Sequence, residues 1–277
     1  MFSQEFMLNA LLAGTFVALA CGVSGWFVVL RGQVFAGDAL SHVAFPGALA
    51  AAAAGLDQRI GLVLATVIVG VGIGVMGRGA LSVRGGRGAG AIAADDTAIG
   101  IVFTFVLGLG LFFLTRFSMS SGGVSGIEAA RTLFGSIFGL AAGEARLAAA
   151  LALAVTLATL AIARPLLFAS VAPEVAAGRG VPTRALGIGF LVLLGVVAAE
   201  ATQAVGALLL LGLLAAPAAA AHRLAGSPAA GIALAGAFAL VAMWVGLALA
   251  YAVPSLPPSS AVVAIAAFIY YGSTLLA

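Results

Sequence analysis

The segment FAGDALSHVAFPG (35–47) holds the side chains best suited to chemistry, with Asp38 and His42 four positions apart. On an α-helix that spacing brings both to one face. A carboxylate and a neutral imidazole form a ligand set for a divalent transition metal. Pro46, four residues past His42, has no N–H to give, and its ring pushes the His42 carbonyl out of the helical ladder. That carbonyl is then open to a cation or a water. D-x-x-x-H is a short pattern, and a structural reading stands beside the metal one: Asp38 caps the start of its helix and His42 hydrogen-bonds a neighbouring helix.

Glu200 is the second candidate, with Thr202 and Gln203 close behind it. About 15 apolar residues separate Arg184 from Glu200, a helix of roughly 22 Å at 1.5 Å per residue. That is less than the ~30 Å of a bilayer's hydrocarbon core. Either Glu200 lies below the outer surface in a wet cavity, or it sits in a hairpin at the headgroups. Asp95 and Asp96 read as N-terminal caps of a helix, and His222 and Arg223 as basic residues suited to a helix C-terminus. The absences are as informative. A P-loop needs a lysine on the phosphates, and every basic residue among the twelve is arginine. No H-E-x-x-H occurs, and two histidines with the lone Cys21 cannot complete a structural zinc site from His and Cys.

These residues must be positioned by a chain of 277 residues that is 64% hydrophobic and 8% charged, with a mean hydropathy of +1.26. Soluble domains carry about 25% charged residues; this chain has lipid for its solvent. The apolar runs are continuous rather than alternating, which excludes a β-barrel. The fold class is therefore all-α, a polytopic membrane bundle in one domain over 1–277. Spans are predicted near 7–30, 40–56, 59–77, 97–115, 146–164, 185–201, 204–222, 228–252 and 258–276, nine within a range of eight to ten. Leu133–Ala142 is apolar but too short to cross. Residues 77–96 read as a flexible linker rich in Gly, Arg and Ala, and 118–126 as an external loop. In 169–184, Pro173 suits a first helical position, Glu174 the positive end of the helix dipole, and Gly178 or Gly180 the helix end.

Orientation follows from the arginines, which gather on the cytoplasmic side. With the N-terminus outside, Arg31, Arg78, Arg84, Arg87, Arg164, Arg179, Arg184 and Arg223 fall inside, against Arg59, Arg116, Arg131 and Arg146 outside. The C-terminus is then cytoplasmic, and the twelve arginines report topology rather than nucleic-acid binding.

Four segments carry a family likeness: VVLRGQVFAGDALSHVAFPGALAA (28–51), DDTAIGIVFTFVLGLGL (95–111), LFGSIFGL (133–140) with PEVAAGRGVPTRAL (173–186), and QAVGALLLLGLLAAPAAAAHRLA (203–225). In that order they resemble the membrane (permease) subunit of the zinc/manganese ABC importers, a type II importer-like permease, over nearly the whole chain. The resemblance implies a multi-pass protein of the bacterial cytoplasmic membrane that pairs as a homodimer. Its other partners would be a cytoplasmic ATP-binding subunit and an extracellular metal-binding protein. Zn2+ or Mn2+ would be cargo rather than a resident cofactor, with ATP bound on the partner and no enzyme site in this chain.

The family's ion-pathway aspartate and histidine fall on Asp38 and His42. Its ATPase-contacting segment falls on Pro173–Arg184, within the cytoplasmic coupling stretch 169–184, and so on Pro173, Glu174, Arg179, Gly180 and Arg184. Gln203 stands where the family often has a polar residue, while Glu200 is less typical; both are further candidates for the pathway. Some zinc members have a histidine early in the fourth span, where this chain has Phe103 or Thr104. That leaves zinc and manganese open, although affinity order alone favours zinc. Two rivals are a permease for a metal chelate such as a siderophore or cobalamin, and a proton-coupled secondary carrier. The second should show inverted repeats.

Overall fold

Lipid offers no hydrogen bonds, so a segment that enters it must satisfy its own backbone, and a helix does so. The computed structural model describes residues 4–76, 89–120, 137–207, 210–253 and 255–276. Among these there is no strand. The helices are α1 (Glu5–Leu30), α2 (Val34–Ala53), α3 (Gln58–Met76), α4 (Ala89–Ser120), α5 (Ala142–Ala161), α6 (Ala163–Val171), α7 (Pro173–Gly178), α8 (Thr183–Val205), α9 (Leu210–Leu224), α10 (Pro228–Ala252) and α11 (Pro258–Leu276). A single 3-10 turn, Ile137–Gly139, precedes α5. Seven of the predicted spans are met by helices long and apolar enough to cross a membrane. The other two coincide with shorter apolar stretches, Ile99–Phe113 of α4 and Leu210–Leu224 of α9.

α1 is the central post. It packs on α5, α8, α9 and α10, and nearly all of its residues from Val17 to Val28 are buried. Its far end is tied to α9, where the His222 ring stacks on Trp26 at 4.8 Å and its Nε2 lies 2.9 Å from the Trp26 carbonyl. His222 lies with Arg223 in the last turn of its helix, as expected, and also packs on α1. α2 leaves α1 through a three-residue turn in which Gly32 takes φ +65°, and packs instead on α3, α4 and α8. α7 matches its prediction closely: Pro173 lies in its first turn with Glu174, Arg179 caps its end, and Gly180 takes φ +80°.

Several boundaries differ from expectation. α2 begins at Val34 rather than near 40, because Gln33 is already its N-cap. Asp38 is therefore inside the helix and does not cap it. α4 begins at Ala89, which places Asp95 and Asp96 within the helix rather than at its start. Residues 89–96 of the expected linker continue α4, and 77–88 lie outside the described residues. So do 121–136, including most of the expected 118–126 loop, Arg131 and the start of Leu133–Ala142. α8 runs on to Val205 and ends at Gly206 with φ +94°. Glu200 and Gln203 therefore belong to the last turns of α8 and not to a hairpin between spans.

The α2–α3 hairpin is tight because Gly47 and Gly61 face each other: a Cβ on either would land on the other's carbonyl oxygen. Small residues that let backbones approach are the usual basis of helix pairing in lipid. Gly61→Val should cost ~1–3 kcal/mol through overpacking. It should lower the thermal unfolding midpoint of the detergent-purified protein, whereas Gly72→Ala on the same helix, which meets open space, leaves it unchanged.

Candidate metal site

One face of α2 stays open. The His42 and Asp38 side chains keep 18% and 27% of their surface accessible, while Ala39, Leu40, Ser41, Val43 and Ala44 between and beside them are buried. Phe35 and Phe45 extend the same open stripe at helical spacing. His42 Nε2 and Asp38 Oδ1 stand 3.8 Å apart, too far for a hydrogen bond and far enough for one cation to be held between them. The ladder below is altered as the sequence predicts. Pro46 is buried inside α2, so the His42 carbonyl lacks its usual amide partner. Ser41 Oγ, 2.6 Å from the Asp38 carbonyl and 3.1 Å from that of Ala207, ties this turn to the end of α8.

α4 forms the neighbouring wall. Phe103 meets His42 edge-on, with centroids 5.3 Å apart and planes at 65°, and also contacts Phe35 at 6.5 Å. Pro46 presses against Gly110, where a Cβ would come within 2.8 Å of the proline ring. Of the two positions read from the sequence, Phe103 is thus the one beside the imidazole. Thr104 is exposed and spends its hydroxyl on the Gly100 carbonyl at 2.9 Å. Among the described residues no group of three or more His, Cys, Asp or Glu side chains could hold a metal. Among the described residues, one chain brings two candidate ligands to this place, Asp38 and His42.

Glu200 does not join them. It is 2% exposed and forms an ion pair with Arg59 of α3, whose Nε is also 3.4 Å from Glu200 Oε1. The same guanidinium reaches the Glu144 carbonyl of α5 at 3.3 Å. Arg59 therefore binds α3, α5 and α8 together at the end of the bundle where α3 begins. Gln203, one turn further along α8, is half-buried. Sequence reasoning placed Arg59 as a topological marker only; its position next to a tight Asp57-Gln58 turn was the available signal.

The chain matches the model of the ABC 3 transport family over residues 3–277. It belongs to that family. Among its relatives, the manganese transport system membrane protein MntC of Listeria innocua is 29% identical, covering 98% of this chain and 91% of the relative. A probable iron transport system membrane protein of Haemophilus influenzae is 26% identical over 73% of this chain and 68% of its own length. A chain of the solved structure of PsaBC from Streptococcus pneumoniae in complex with Fab superposes with a TM-score of 0.83 at 28% identity, covering 99% of this chain and 93% of that one. The resemblance carried by the four sequence segments is thus borne out across the whole permease. Family membership also agrees with the missing P-loop lysine: an ABC 3 permease is a transport component.

Removing one partner of a buried ion pair leaves the other charge uncompensated, at ~3–5 kcal/mol. Glu200→Gln should therefore lower the thermal stability of the purified protein sharply. The exchange Arg59→Glu with Glu200→Arg should recover part of the loss. A Glu200→Gln variant of parental stability that has lost metal uptake would instead make Glu200 a pathway ligand.

Proposed function

We propose that this chain is the membrane-spanning half of an ATP-driven importer, and that a divalent metal, manganese first among them, crosses beside Asp38 and His42. The observation that carries this reading is the open stripe on α2: among the described residues, a carboxylate and an imidazole able to ligate a metal sit accessible on a helix whose residues beside and between them are buried. A cargo ion must enter and leave, which favours few protein ligands with water completing the shell over a closed cage. Two copies related by a two-fold axis, each presenting this stripe, would supply four side-chain ligands. The donors are oxygen and nitrogen with no thiolate, a set that manganese accepts, and the relatives named for manganese and iron point the same way.

In this arrangement α9 and the apolar part of α4 complete nine crossings, with the N-terminus outside and the C-terminus inside. α6 and α7 then lie on the cytoplasmic side with Arg179 and Arg184. α7 packs back on α6 through the fully buried Ala169 and Ala176, so the two move as one piece. Beside them opens a cleft of about 590 Å³ lined by Gly180, Val181, Pro182, Thr183, Arg184 and Ile188. Val175, 53% exposed on α7, offers an apolar contact for a partner. This segment is the seat of the ATP-binding subunit, and a metal-binding protein delivers cargo to the opposite face.

Asp38→Ala and His42→Ala should each reduce uptake of radioactive manganese by at least tenfold in cells lacking other importers, at normal membrane levels. Parental uptake by both would remove the site, and preferential loss of zinc uptake would reassign the cargo. Separately, Val175→Asp should abolish co-purification of the ATP-binding subunit while the permease remains monodisperse in detergent.

A further inference from the structure

Arg31 stands between the α6–α7 piece and the metal-site helix. It is the first residue after α1, and its side chain turns inward. Its Nε donates to Gln33 Oε1 at 2.8 Å. One terminal nitrogen lies 3.5 Å from Ser170 Oγ on α6, and the guanidinium stacks over the Phe190 ring of α8 at 5.2 Å. Burial pushes the group down to about 10, which still leaves it charged at neutral pH. Ser170 in turn donates to the carbonyl of the fully buried Leu166 at 2.6 Å, so this contact is anchored in the core of α6.

The geometry on the other side is short and stiff. Three residues join α1 to α2, and Gln33, which Arg31 holds, is the N-cap of α2. Asp38 lies little more than one turn beyond Val34, ~6 Å along the axis. α2 rests on α3, α4 and α8 and hardly on α1. A displacement of α6 therefore has a direct side-chain route into the first turn of α2. We propose that Arg31 is the positioning residue that couples movement of the α6–α7 piece to the Asp38/His42 pair. The guanidinium suits this task because its planar fork bonds and stacks at once, where an ammonium group would hold charge alone. This inference rests on α6–α7 being the ATPase seat.

The test uses the full importer, permease with its ATP-binding subunit and metal-binding protein, in proteoliposomes supplied with manganese. Uptake per ATP hydrolysed is the readout, since a merely structural defect lowers both together. Arg31→Gln should hold ATP hydrolysis within twofold of the parent and reduce uptake per ATP about tenfold. Arg31→Lys should fall between, about threefold down. Either variant at the parental ratio, or hydrolysis and uptake falling in proportion, overturns the proposal. Should Arg31→Gln not fold, Arg31→Lys, which keeps the buried charge, decides alone. Failure of the underlying reading would show differently: the ATP-binding subunit would still co-purify with Val175→Asp, whatever Arg31 variants do.

Discussion

A carboxylate and an imidazole inside a lipid-spanning helix are tolerated when protein and water, rather than hydrocarbon, surround them. That constraint organises the bundle. α2 is packed on α3, α4 and α8 so that almost every residue from Ala36 to Leu49 is buried, and the exceptions fall on the stripe of Asp38, His42 and Phe45. The glycine contact between α2 and α3 and the Pro46–Gly110 contact with α4 bring the neighbouring helices in closely enough to cover the other faces. Polar atoms nearby are used within the bundle, as Ser41 shows by bridging α2 to Ala207. What remains accessible is the face that carries Asp38 and His42.

The sequence made much of this legible because lipid leaves few choices. Continuous apolar runs mean helices, and D-x-x-x-H on such a run places a carboxylate and an imidazole on one face without knowledge of any tertiary contact. Pro173, Glu174 and Gly180 likewise state a short helix in local terms, and it formed. Boundaries were harder. The start of α2 depends on the left-handed Gly32 and on Gln33, an N-cap whose side chain makes no capping bond to the helix; neither announces itself in the sequence, and Asp38 reads there as a helix start. Glu200 was ambiguous for a different reason: its partner Arg59 is 141 positions away, and no local pattern reports such a pairing. Phe103 became informative only once α4 was laid against α2.

Asp38 and Glu200, acidic groups on two different spans, differ in what faces them. Glu200 meets a guanidinium that also holds α5, and its exposure of 2% leaves no room for exchange. Its charge is spent on joining helices, and an ion pair so enclosed is a poor place for a passing cation. Among the described residues, Asp38 faces the His42 imidazole at 3.8 Å and keeps an open flank. A carboxylate and an imidazole set side by side, with surface still accessible, form a donor pair that suits a divalent transition metal.

The cations divide in the same way. Arg59 gathers α3, α5 and α8 at one end of the bundle; Arg31 gathers the α1–α2 turn, α6 and α8 at the other. α8 is common to both, and it lies along α2 between them. A helix held near each end by a guanidinium is fixed at two separate points, and the helix bearing Asp38 and His42 is packed against it. On the proposed import reading, opening a path on one side of the membrane at a time would require one of these clamps to yield while the other holds, and each guanidinium lies beside α8 and off the Asp38/His42 stripe.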